Sequence, residues 1–88
     1  VNDLKKEILA YRSRKAREAA EARQMAALQL SCGIDLSAAL NGTDTERIRV
    51  RRIIARRLKR ERLRGLQRHW SYDLNRHIAL KQAFDRLS

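Results

Sequence analysis

Apolar positions recur along the first third of the chain at Leu4, Ile8, Tyr11, Ala19, Ala22, Ala26 and Leu30, and Lys15 stands where one step of the series is missing. Steps of three and four residues hold these positions on one side of an α-helix. Asn2 and Asp3 can cap its start, and Glu7 sits close enough to favour the positive end of the helix dipole. The pattern predicts a packing helix over residues 3–31. Its middle is alanine, which lets two helices approach closely but buries little area per residue. Such a stripe is expected to lie against another helix, either a later part of this chain in a hairpin or a second copy in a dimer.

The pattern breaks at Ser31-Cys32-Gly33, where Gly33 can take the left-handed conformation that closes helices. Residues 32–43 read as a turn region. Within it Asp35 can cap a short helical turn bearing Leu36, Ala39 and Leu40, and Asn41-Gly42 ends that turn. Thr43 followed by Glu46 fits a capping box and opens a second long helix over 44–69. Val50, Ile54 and Leu58 line one side of it, with Ile53 beside them. Leu63, Leu66 and Trp70 line another side about 140° away at 100° per residue. Gly65 falls just after the switch and predicts a local irregularity. Ser71 or Asp73 can then cap a shorter helix within 71–87, with Leu80, Ala83, Phe84 and Leu87 on one side.

Composition agrees with helices. There is no proline, glycine occurs three times in 88 residues, and good helix formers dominate. The expected class is all-α: two long helices joined by a short turn region, plus a shorter C-terminal helix, in one small domain spanning 1–88. A chain this short, with 35% charged residues, has a thin core, and an elongated helical dimer is the expected remedy. The single Cys32 excludes an internal disulfide. No apolar run approaches a membrane span and no signal-peptide pattern opens the chain, so a cytoplasmic, nuclear or nucleoid location is expected.

Charge changes the picture most. Arg47, Arg49, Arg51, Arg52, Arg56, Arg57, Lys59, Arg60, Arg62, Arg64 and Arg68 share their window with one acid, Glu61. That leaves +10 in the window, against +11 for the whole chain. Arginine donates hydrogen bonds in pairs to phosphate oxygens and stacks on bases. These eleven residues are therefore the candidate binding residues for nucleic acid, DNA or RNA, through its phosphate backbone. An acidic protein partner, with the chain as a helical adaptor or regulatory subunit, is the alternative. The stretch Leu36–Ile48 resembles a helix-turn-helix in the placing of Ala38, Gly42 and Ile48. Its first helix is very short, however, and Arg51 stands where that motif takes an apolar residue, so a reader of backbone or shape is expected.

Trp70 is expected to anchor a small core with Leu66 and Leu74, the other reading being a platform for stacking on unpaired bases. Nothing in the chain predicts catalysis. No nucleophile has an evident base and orienting group, and no glycine-rich phosphate loop occurs. His69 and His77 lie eight apart, the wrong interval for two ligands on adjacent turns, so neither metal nor cofactor is expected.

Overall fold

The computed structural model describes residues 2–88. Four helices make up the chain and no strand occurs among the described residues: α1 Asn2–Cys32, α2 Leu36–Leu40, α3 Asp44–Leu66 and α4 Leu74–Arg86. Local signals set most of the boundaries. Gly33 closes α1 at φ +66. The Asp35 carboxylate accepts from the backbone N–H of Ser37 and Ala38 and starts α2. The Thr43 hydroxyl accepts from the Glu46 N–H at 3.2 Å and starts α3, and Asp73 caps α4 through Asn75 and Arg76. Each cap satisfies N–H groups that the helix itself leaves unpaired.

The core joins all four helices. Leu28 of α1, Leu36 and Ala39 of α2, Val50, Ile54 and Leu58 of α3, and Leu80, Ala83 and Leu87 at α4 and its end form one buried cluster, with Phe84 and Cys32 against its edge. Helix α4 lies against both α1 and α3, and α2 closes the end of the bundle between those two. A polar seam runs along the α1–α4 contact. The buried Gln24 donates to Gln82 at 3.2 Å and accepts from Arg86 at 2.9 Å.

The buried side of α1 is not the one its apolar periodicity predicts. Leu28 and Gln24 are buried and Ala20, Ala27 and Ser31 half-buried, a set roughly 155° around the helix from the Leu4–Leu30 stripe. In that stripe Leu4 is 61% exposed, Ile8 43%, Tyr11 52% and Leu30 86%. Helix α1 does pack against later helices of the chain, α3 and α4, but through the side opposite the stripe, so the expected contact face is corrected. Residues 2–19 are all exposed, since the first half of α1 extends past the bundle. This extension gives the molecule its 50 Å long axis and a radius of gyration of 15.9 Å, where a compact chain of this length would have about 12 Å.

Helix α3 ends at Leu66, not at residue 69. Arg68 takes φ 52, its N–H bonds to the Gly65 carbonyl at 3.2 Å, and the His69 N–H bonds to the Arg64 carbonyl at 2.9 Å. This is the paired closure usually built on glycine, here built on arginine. Gly65 stands one residue before the end of α3, and its carbonyl takes part in the closing turn. A side chain there would come within 3.1 Å of the Tyr72 ring, and Tyr72 in turn holds His77 Nδ1 at 2.9 Å. The early stop also overturns the core expected around Trp70. Trp70 is 90% exposed, Leu66 82% and Leu74 60%, because the turn after α3 directs the ring outward.

Candidate nucleic-acid interface

Helix α3 positions its charges by the same 100° step that places its core residues. Val50, Ile54, Leu58 and Glu61 form the buried stripe. Arg49, Arg52, Arg56, Lys59 and Arg60 are exposed, on a side centred roughly 160° from that stripe. None of these five has a carboxylate within 4.0 Å among the described residues. Arg62 and Arg68 are also exposed, the first on a flank and the second in the closing turn. Leu63, half in solvent at 51%, lies on the cationic side.

The remaining four candidates are half-buried and engaged within the chain. Arg57 Nη2 is 3.2 Å and Arg64 Nη1 3.9 Å from Glu61 Oε1. The Arg51 guanidinium lies over the Phe84 ring at 5.0 Å, a packing that half-buries a cation at the position where a helix-turn-helix would take an apolar residue. Arg47 reaches the Arg86 carbonyl at 3.5 Å.

Glu61 is the residue that sequence reasoning missed. It is fully buried, and it gathers Arg76 of α4 at 3.1 Å as well as Arg57 and Arg64. Arg76 also donates to the Ser71 carbonyl at 2.7 Å, so one guanidinium ties α4, α3 and the connecting turn together. Arg76 donates a hydrogen bond to Oε2 of Glu61, whereas Arg57 and Arg64 approach Oε1 without an aligned hydrogen bond. The cluster works by charge compensation around a carboxylate withdrawn from water, which would be costly to leave unpaired. The signal in the sequence is spacing: Glu61 continues the Val50, Ile54, Leu58 stripe at the next helical step.

At the end of α3 the exposed Trp70 ring stacks on His69, with centroids 5.5 Å apart and planes 30° from parallel. His69 Nδ1 accepts from the Ser71 N–H and lies 2.7 Å from the Ser71 hydroxyl. The contact ties Ser71 to His69 within the exposed turn after α3. Cys32, half-buried behind α3, has its thiol pushed above the ordinary value by burial, an effect partly offset by Arg57 and Arg60. No group of three potential metal ligands occurs among the described residues, and no helix there is long and apolar enough to cross a membrane. No protein family, curated protein or solved structure matches the chain.

Proposed function

We propose that this chain is a non-enzymatic nucleic-acid-binding protein that holds a phosphate backbone along the outward side of α3, through Arg49, Arg52, Arg56, Lys59 and Arg60. The reading rests on one observation: these five cations share a single exposed side with no carboxylate of the described residues within ion-pair distance. Cations so arranged hold a cloud of small anions in water, and a polyanion displaces that cloud with a gain in entropy. Arg62 and Arg68 extend the surface, and Trp70 offers unpaired bases a ring on which to stack.

Binding of fluorescent single-stranded and duplex oligonucleotides across a salt series tests this. Five phosphate contacts give a log–log salt slope of about −4, and replacing the five residues with alanine should flatten it towards zero. The protein's single tryptophan reports the stacking step directly. Single strands should quench its fluorescence, duplex should quench it less, and Trp70→Ala should weaken single-strand binding by about 1–2 kcal/mol. Absence of binding even at low salt rejects the proposal.

A second reading is supported by Leu63 and Leu66, which stand exposed beside the cations. An acidic protein with an apolar groove would cover both. Recovery of one stoichiometric acidic partner that survives nuclease treatment would favour that adaptor role over the nucleic-acid role.

A further inference from the structure

A groove of about 440 Å³ lies between α1 and the start of α4, and Arg57 of α3 reaches its lining as well. Pockets of about 300–1,000 Å³ with an apolar wall and a few convergent polar groups are the usual seats of small molecules. We infer that this groove takes a small organic carboxylate, an acid group carried on an apolar body.

The charges around the groove select an anion. Arg23 of α1, Arg57 of α3 and Arg76 of α4 line it from three helices, and Asp73 is the one acid on its lining among the described residues. Asp73 is engaged in capping α4 through the N–H groups of Asn75 and Arg76. The buried Glu61 is shared by Arg57, Arg64 and Arg76. Four guanidinium groups thus stand against two carboxylates. Arg23 has no carboxylate within 4.0 Å among the described residues. Positive charge along a cleft with low-dielectric walls focuses the field into it.

Two of these arginines are set in place by the fold itself. Arg76 donates to Glu61 at 3.1 Å and to the Ser71 carbonyl at 2.7 Å, both through Nη2. Its Nε, like that of Arg57, has no acceptor among the described residues, so the contacts within the chain do not exhaust these donors. A guanidinium offers a carboxylate two parallel N–H groups, and one whose rotamer is already fixed loses less freedom on binding. Ala26, Ala27 and Leu30 of α1 and Ala79 of α4 supply the apolar part of the lining. The body of the ligand would cover the exposed Leu30. Asp73 disfavours a second negative charge, which points to a carboxylate and away from a phosphate monoester. The inference does not rest on the phosphate reading, since the groove shares none of the five outer cations of α3.

Two-dimensional NMR with naphthoate as the probe tests it. The signals of Ala26, Ala27, Leu30 and Ala79 should shift together and saturate. Naphthylmethanol, which has the body without the charge, and acetate, which has the charge without the body, should leave them in place at equal concentration. Arg57 and Arg76 hold the core, so the variants fall on Arg23 and Ala26, both exposed. Arg23→Gln should weaken binding about tenfold, as loss of a hydrogen bond to a charged group does. Ala26→Phe should fill the groove and abolish the shifts, with far-ultraviolet circular dichroism unchanged. Replacing Arg49, Arg52, Arg56, Lys59 and Arg60 with alanine should leave the shifts intact. The proposal is overturned if naphthoate at millimolar concentration leaves the four residues unmoved, if naphthylmethanol binds as well as naphthoate, or if either groove variant binds as the parent does. Shifts that vanish with the outer cations overturn it too, because the anion then sits on the outer side of α3.

Discussion

Arg56 and Arg57 follow one another in the sequence and stand in opposite surroundings. Arg56 points to water on the cationic side of α3, and Arg57 turns inward to within 3.2 Å of a fully buried Glu61. The contrast extends along the helix. Arg57, Arg64 and Arg76 share one carboxylate on the inner side, and Arg49, Arg52, Arg56, Lys59 and Arg60 have none on the outer. The reason is dielectric. A guanidinium withdrawn from water needs a counter-charge, whereas one left in water is content with hydration and mobile ions. Counting arginines therefore overstates the binding footprint. Part of the basic window is the glue of a thin core, and only the rest is free to meet a partner.

The hardest blow to this contrast would fall on Glu61. Replacing it with Gln removes the charge and keeps the shape, leaving three guanidinium groups to face one another. Loss of one partner from a buried ionic cluster costs about 3 kcal/mol or more. That is a large share of the roughly 5–15 kcal/mol by which such domains are stable. The arginines keep some solvent contact, with side chains 17%, 33% and 27% exposed, so the lower figure is expected. Urea denaturation should show the midpoint falling sharply with the m-value unchanged. An unmoved midpoint would mean that the inner arginines are hydrated as well as the outer ones, and the distinction between the two sides would fail.

A pair of single substitutions sharpens it next. Arg56→Ala should leave stability within about 0.5 kcal/mol and lower the salt slope of nucleic-acid binding by about one unit. Arg57→Ala should do the reverse, with the slope unchanged and stability reduced by about 1–2 kcal/mol, because it takes one of three cations from a buried carboxylate that keeps its hydrogen bond to Arg76. Equal effects from the two neighbours would merge the two sides into one.

How much of this was legible in the sequence follows from the range of each signal. Asp35, Thr43 with Glu46, Asp73 and Gly33 act within four residues of themselves, and each sits where its spacing placed it. The Val50, Ile54, Leu58 stripe was equally plain. The face of α1 was not. Bulk and period favoured the Leu4 stripe, yet the buried side carries a single large apolar residue, Leu28, and is selected by a long-range fit to α4. Glu61 fell on the right helical step, but an acid argues against burial until its arginines are seen in space. Trp70 was misjudged because α3 stops early. The stop uses an arginine where glycine is the readable sign, so nothing local announced that the ring would be turned into solvent.

That arginine also supplies the finest test of the comparison. Arg68 is the one non-glycine residue with positive φ among the described residues, at 52. The left-handed conformation costs an L-residue roughly 1–2 kcal/mol. Glycine escapes the clash but loses about 0.5–1 kcal/mol more in chain entropy on folding. Arg68→Gly should therefore stabilise the fold by up to about 1 kcal/mol, a rise of a few degrees in the melting midpoint at roughly 4–8 °C per kcal/mol. If Arg68 belongs with the outer cations, the same change lowers the salt slope by about one unit, and the chain carries strain at the end of α3 to keep a charge beside Trp70. A lower melting point with an unaltered slope would put Arg68 with the inner arginines instead, its side chain holding the turn. The two measurements together thus assign the residue to one side of the helix or the other.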